Sequence, residues 1–189
     1  IDGNDRVFMG NAMPKLTYAL SGGLNWKNFN FSFMLQGVSG VKIFNAYKFT
    51  TLNESLSSFN RSREILKALD GPNNDVPRIS AKDPNGNFAT VSDYYLEDGD
   101  FLRIKNISFG YSFTNLFRKN SYLANRKSTL DLTFSIDNLA TFTKYSGIDP
   151  EVGSTPVSAD DDNPTYSFGL DRGQYPVSRT YSIALKLKF

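Results

Sequence analysis

Positions 181–189 alternate without a break. Tyr181, Ile183, Leu185, Leu187 and Phe189 are apolar, and Ser182, Ala184, Lys186 and Lys188 are polar or small. A repeat of two sends successive side chains to opposite faces of a strand. The segment therefore predicts a strand with one apolar face and one polar face. The same pattern recurs upstream. Leu16, Tyr18, Leu20, Leu24 and Trp26 alternate with Thr17, Ala19, Ser21, Gly23 and Asn25. Phe29, Phe31, Phe33 and Leu35 alternate with Asn30, Ser32, Met34 and Gln36. Ile107, Phe109, Tyr111 and Phe113 form a fourth run, and Leu130, Leu132, Phe134 and Ile136 a fifth. Strands are expected near 16–26, 29–38, 101–113, 129–138 and 179–189. Only Lys27-Asn28 separates the first two, which predicts a tight hairpin. Ahead of Ile107 the parity changes, because Leu102 and Ile104 fall out of step. A bulge near Lys105-Asn106 reconciles them; a strand whose stretch 101–105 lies beyond a bilayer does so too.

Alternation of this kind suits a soluble sandwich as well as a membrane barrel. The connections separate the two. They are 27–28, 39–100, 114–128 and 139–178, alternating short and long. Outer-membrane barrels pair short periplasmic turns with longer extracellular loops. Tyr181, Ile183, Leu185, Leu187 and the closing Phe189 resemble the C-terminal signature by which such barrels are recognised for assembly. If that end is periplasmic, 1–15, 39–100 and 139–178 all fall outside the cell, and both shorter connections fall on the periplasmic side. Loops this long without their own structure are unusual in a soluble domain. The expected fold is all-β: about five antiparallel C-terminal strands of a large transmembrane β-barrel with long extracellular loops.

The two parities then take roles. Phe31, Phe33, Phe109, Phe134 and Leu185 are expected to anchor in lipid. Asn30, Gln36, Asp131, Thr133, Asp137 and Lys186 are expected to face the lumen. A lysine on the lipid face near midplane costs roughly 2–4 kcal/mol, and Lys186 and Lys188 avoid that face. Trp26, Phe29, Phe113 and Phe189 fall at expected periplasmic ends, and Tyr18 and Tyr181 at extracellular ends, as an interfacial aromatic girdle does. Two readings of Arg103 and Lys105 stand: contact with lipopolysaccharide phosphates, or rim charges solvated by water.

Composition narrows the chemistry. The 189 residues include 16 Phe and 10 Tyr, a strand-rich usage. No apolar run exceeds three residues, and a membrane-spanning helix needs about 20. Net charge is +2, from 21 basic and 19 acidic residues. The basic residues do not cluster, so nucleic acid is not an expected partner. Cysteine and histidine are absent, which removes disulfides, thiolate metal sites and the commonest general base. The opening Ile1-Asp2-Gly3-Asn4-Asp5 has no signal-peptide character, so the chain is expected to start within a longer protein or after cleavage.

In the long connections, Ile65, Leu66 and Leu69 predict a short helix capped by Asn60 and stopped by Gly71-Pro72. Asp160-Asp161-Asp162 suggests a hard cation, but EF-hand spacing is missing. Asp149 and Glu151 suggest paired-carboxylate hydrolysis, but a spacing of two on a loop fixes no separation in space. A solvated loop surface and a non-enzymatic protein are expected, with no cofactor and no metal.

Four segments resemble the SusC/RagA family of TonB-linked outer-membrane transporters, typical of Bacteroidetes. They are Asp5-Arg6 through Gly10-Asn11 to Pro14; Gln36-Gly37-Val38-Ser39-Gly40; Leu96-Glu97-Asp98-Gly99-Asp100-Phe101-Leu102-Arg103-Ile104-Lys105-Asn106; and Asn138-Leu139 with Tyr145 and Asp149-Pro150-Glu151. The resemblance implies TonB-energised nutrient import of oligosaccharides or peptides. It implies a barrel of the 22-stranded, plugged class, with the plug absent from this chain. The implied partners are the rest of the barrel and its plug, TonB, a SusD-like surface lipoprotein, and outer-membrane lipid with lipopolysaccharide. A passive porin or adhesion barrel, a barrel enzyme and a soluble β-sandwich module are the rival readings.

Overall fold

The computed structural model describes residues 3–55, 60–71, 75–84, 86, 92–114, 128–152, 154–156 and 166–188, with backbone alone at 154–156, 166 and 167. Phe189, Pro72, Asn85, Asp160-Asp161-Asp162 and nearly all of the 114–128 connection lie outside them. Among the described residues, in chain order, the strands are β1 (Leu16–Trp26), β2 (Phe29–Ser39), β3 (Lys42–Asn45), β4 (Leu96–Asp98), β5 (Phe101–Thr114), β6 (Thr129–Thr143), β7 (Ser154–Pro156), β8 (Tyr166–Phe168), β9 (Leu170–Asp171) and β10 (Thr180–Lys188), with an α-helix, α1 (Ala46–Thr51). They form two compact units.

The first unit comprises 16–38, 101–143 and 177–189. It is a five-stranded sheet in the order β1-β2-β5-β6-β10. The pairs β2–β5, β5–β6 and β6–β10 are antiparallel. Their register stacks like with like. Phe31, Phe109, Phe134 and Ile183 form one row across four strands, and Phe33, Ile107, Ile136 and Tyr181 form the next. On the opposite face, Ser32, Ser108, Ser135 and Ser182 make one row, and Asn30, Gly110, Thr133 and Ala184 another. A slip of one residue would exchange the faces, so the alternation and the register fix each other.

The register breaks once. On β5, Lys105 is passed over by both neighbours, and on β6 the same break passes over Asn138 and Leu139. The bulge restores Ile104 to the aromatic face beside Leu35 and Ala140, and it places Arg103 opposite Gln36 and Thr141. Asn138 adopts a left-handed backbone with φ of 53°, which asparagine tolerates better than most residues. Its Nδ2 donates to the Ser178 carbonyl at 3.1 Å, just ahead of β10. Beyond this break β6 continues to Thr143, five residues past the end expected at 138. Two residues are passed over on β6, so its parity is kept, and Ala140 and Phe142 carry on the apolar face of Phe134 and Ile136.

The second unit comprises 1–15, 39–100 and 144–176. Its main sheet has the order β4-β3-β9, with β3 antiparallel to β4 and parallel to β9. A separate two-stranded sheet joins β7 and β8. Leu52, Ile65 and Val76 form a small core, with Ala68, Ile79 and Tyr94 packed on it. The expected helix is a 3-10 helix, Arg63–Leu69. Its cap is Ser62, whose Oγ accepts from Glu64 N at 3.2 Å, not Asn60. A 3-10 helix eclipses positions three apart. Ile65 and Ala68 therefore share the buried side, and Leu66 and Leu69 are left exposed.

Candidate functional site

The chemistry-bearing residues fall into a polar sheet face and a set of carboxylate hubs in the second unit. On the sheet, Asn30 Nδ2 bonds Asn25 Oδ1. Gln36 pairs with Arg103, whose Nε donates to Thr141 Oγ1 at 2.8 Å. Asp137 Oδ1 accepts from Asn106 Nδ2 at 2.7 Å. Asp131 Oδ1 accepts from Ser112 Oγ at 2.7 Å, and its Oδ2 meets Lys188 Nζ at 2.9 Å. Thr133 pairs with Gly110 and Ala184, and Lys186 lies opposite Asp131. By register, Asn30, Gln36, Asp131, Thr133, Asp137 and Lys186 lie on one face of the sheet. They fall in four rows, Asn30 with Thr133, Asp131 with Lys186, and Gln36 and Asp137 in rows of their own, and the bonds of Asn30, Asp131 and Asp137 go to near neighbours rather than to one point. Arg103 is the main departure from expectation. It is 2% exposed and lies across the Phe101 ring, with Cζ 5.4 Å from the centroid. That burial is at odds with a solvated rim charge, and the guanidinium is held by Thr141 and the Phe101 ring.

The opposite face is apolar and uncovered. Ile183 is 72% exposed and Leu185 68%. Tyr181, Leu187, Phe109, Phe134 and Phe142 are exposed with them. At the hairpin end the aromatic rings touch. Trp26 stacks on Phe29 at 6.2 Å, Phe29 meets Tyr111 edge-on at 4.8 Å, and Tyr111 meets Phe113 at 4.6 Å. A continuous apolar surface of this kind is not left in water by a soluble monomer.

In the second unit, the segment Leu96-Glu97-Asp98-Gly99-Asp100 works as a clamp. Glu97 accepts from Ser146 N at 2.8 Å, Ser146 Oγ at 2.7 Å and Asn45 Nδ2 at 3.2 Å, with Lys48 Nζ at 3.5 Å. Burial pushes this carboxyl up. The bonds from Ser146, the Lys48 charge and the Asn45 amide outweigh burial and hold it below the usual carboxylate range. Asp98 meets Lys42 Nζ at 2.6 Å. Asp100 accepts from Ser39 Oγ, Gly40 N and Val41 N at 2.8, 2.7 and 3.1 Å. Its carboxyl is also lowered: desolvation raises it, and the three donors and Lys42 more than offset that. Gly99 has no room for a side chain, since a Cβ there would collide with Ile43 and stand 3.1 Å from Val41 Cγ1.

A second hub is Asp171, 2% exposed. Its Oδ2 accepts from the Tyr145 hydroxyl at 2.5 Å, and its Oδ1 from Gly173 N at 2.8 Å and Gln174 N at 3.3 Å. Burial, then the bond to Asp171, pushes the Tyr145 phenol far up, so it stays a donor. Asn45 closes the arrangement by capping α1, its Oδ1 accepting from Lys48 N at 2.8 Å. Lys48 Nζ sits 4.3 Å over the Tyr94 ring. Burial, then nearby acidic charge, pushes the Tyr94 phenol up to about 12.

Composition and periodicity gave no sign of the Glu97 and Asp171 hubs. Glu97, Asp100 and Tyr145 do fall inside the family-like segments, which was the available signal. Asp171 carried none. Asp149 Oδ1 accepts from Glu151 N at 2.9 Å, a local turn rather than paired catalytic carboxylates. Among the described residues, no group of three potential metal-binding side chains converges.

No protein-family model matches the chain. It is 32% identical over 197 residues to the TonB-dependent receptor P3 of Formosa agariphila, and 27% identical over 190 residues to the TonB-dependent receptor SusC of Bacteroides thetaiotaomicron. Both alignments cover all of this chain, which spans 18% and 16% of those relatives' lengths. Its fold matches the RagAB peptide importer in the closed-closed state, with TM-score 0.72 and 25% identity over 96% of this chain and 18% of that one. These relatives are receptors and importers by name, not enzymes, and TonB-dependent receptors of the SusC and RagA type are outer-membrane β-barrel proteins. In sequence and in fold, this chain is a SusC/RagA-like segment of a TonB-dependent transporter of the outer membrane.

Proposed function

We propose that the chain forms the C-terminal barrel wall and two extracellular loops of an importer that takes up oligosaccharides or peptides using energy delivered through TonB. The observation that carries this reading is the two-faced sheet. Its register keeps aromatic rows on one exposed face and hydrogen-bonded polar rows on the other, as a wall between lipid and a polar lumen requires. The aromatic face meets lipid. Asn30, Gln36, Asp131, Thr133, Asp137 and Lys186 line the lumen beside the plug. The hairpin at Lys27–Asn28 faces the periplasm, and the connections 39–100 and 139–178 are extracellular loops. Tyr181, Ile183, Leu185 and Leu187 belong to the strand that the assembly machinery reads. The likeness to SusC and RagAB supports a SusD-like lipoprotein as the partner on the extracellular side.

Uptake tests the reading. Cells expressing the full-length transporter should accumulate labelled oligosaccharide or peptide, and should lose that uptake when TonB is deleted or the proton gradient is collapsed. Undiminished uptake without energy would favour a passive porin. A SusD-like lipoprotein should copurify with the transporter.

A further inference from the structure

The tight turn between β1 and β2 carries a strained residue. Lys27 has a backbone φ of 54°, in the left-handed region that glycine and asparagine adopt readily and lysine only at a cost. Strain kept at one position points to a task for its side chain. That side chain is exposed and lies over the indole of Trp26, with Nζ 5.0 Å from the ring centroid. Trp26 stacks on Phe29, and the ring contacts run on through Tyr111 to Phe113. The ammonium therefore stands at the rim of the apolar face, beside a ledge of aromatic rings. Ser112 N donates to Asn28 O at 2.9 Å, which ties the turn to β5.

The charge around this rim has one sign. The only acidic residues in 16–38, 101–143 and 177–189 are Asp131 and Asp137. Both lie on the polar face, where Ser112 and Lys188 hold Asp131 and Asn106 holds Asp137. No carboxylate side chain of this unit shares the apolar face with Lys27. The connection 115–127 lies outside the described residues and outside the site. Its sequence contains Arg118, Lys119, Arg126 and Lys127 and no acidic residue, and the strand ends it joins, Thr114 and Thr129, are paired here.

We infer that Lys27, seated on Trp26, binds the phosphate of an anionic phospholipid headgroup in the periplasmic leaflet, with the acyl chains of that lipid along the aromatic ledge. The inference rests on the reading of the sheet as a barrel wall and adds which lipid the wall selects. An ammonium over an indole keeps its charge, and its far side is open to a phosphate, for which lysine serves as a point charge. An anionic lipid is preferred to a zwitterionic one because its phosphate has no ammonium of its own to neutralise it. An acidic protein segment would meet the same charge, but it would leave the ring ledge without an apolar partner; a lipid offers both chemistries at once.

The test uses the full-length transporter in vesicles of phosphatidylethanolamine and phosphatidylglycerol. A trace of one lipid or the other carries a diazirine near the glycerol end of an acyl chain, and photo-adducts are mapped by peptide mass spectrometry. Adducts on residues 26–29 should come about fivefold more from phosphatidylglycerol, the effect of one lysine at an anionic surface. Lys27→Gln should abolish that preference, and Lys27→Arg should keep it within about twofold. Lys27→Gly should abolish it too, with a thermal midpoint in detergent equal to or above the parent's, because the left-handed strain is relieved. Equal adducts from the two lipids, an unchanged preference in Lys27→Gln, or a lowered midpoint in Lys27→Gly would overturn the inference. So would loss of the preference on adding inorganic phosphate at constant ionic strength, which would make this a site for free anions. The wall reading is checked separately: a cysteine at Asn28 should escape a polyethylene-glycol maleimide applied to intact cells. Labelling there would put the turn outside the cell and sink that reading, while a preference at Lys27 in vesicles would still stand.

Discussion

At the residue scale, two positions show how single atoms hold the architecture. Asn138 combines a left-handed backbone with a side-chain bond to Ser178. Alanine there would lose the bond and keep the strain, so Asn138→Ala should lower the stability of the full-length barrel by about 1–2 kcal/mol. Asn138→Gly should cost less, because only the bond is lost. Denaturant midpoints in detergent check the order. Gly99 is the second case. A methyl group there meets Ile43 and Val41, and overpacking of this kind costs about 1–3 kcal/mol. Gly99→Ala should therefore speed amide exchange at Val41 and Ile43. Equal exchange in the variant would show that the β3–β4 contact has slack the structure does not display.

At the element scale, the strands of the five-stranded sheet were written in the sequence because period two leaves a visible trace over nine or more residues. The bulge was half visible. Leu102 and Ile104 fall out of step with Ile107, which marked Lys105. On β6 the polar Asn138 stands where the next apolar position falls and Leu139 lies on the polar parity, so the pattern is lost there and β6 was expected to end too soon. The small strands β3, β4 and β9 run for four, three and two residues, too few to show any period. The Tyr145–Asp171 bond joins residues 26 apart, a link no local pattern encodes. The loops therefore read as turn chemistry when they fold into sheets tied by carboxylates.

Two predictions belong to these elements. Thr133 and Phe134 are consecutive on β6 and point to opposite faces. Phe134→Lys should destabilise the barrel in lipid by roughly 2–4 kcal/mol, and Thr133→Lys by much less; urea unfolding in vesicles compares them. The loop hubs should respond to acid. Glu97 and Asp100 have lowered carboxyl pKa values in the folded state. Their contribution is therefore fully present above the ordinary carboxylate value of about 4, and is lost as pH falls through the folded values. The chain has no histidine to titrate near neutrality. Corrected exchange protection at Gly40, Val41 and Ser146, whose amides feed these carboxylates, should be flat from about pH 8 to 5 and fall below about pH 4. A loss of protection between pH 8 and 6 would contradict the assignment.

At the scale of the whole molecule, β1 and β10 lie at the two edges of a five-stranded sheet. Closing even a small barrel takes about eight strands, and an open edge in hydrocarbon leaves backbone groups unsatisfied at several kcal/mol each. The sheet is therefore one arc of a larger wall, in keeping with relatives more than five times its length. The central claim is that this wall has a lipid side and a water side that exchange parity across Lys105. Single cysteines along β5, introduced into a cysteine-free version of the full-length transporter in vesicles, test it most directly. Cysteines at Leu102, Ile104, Ile107, Phe109 and Tyr111 should resist a water-soluble maleimide, and bimane attached there should be quenched by brominated lipid. Cysteines at Ser108, Gly110 and Ser112 should react with the maleimide and escape quenching, and one at the buried Arg103 position should escape quenching. Uniform labelling of both sets, or a parity that runs unchanged through Lys105, would contradict the account.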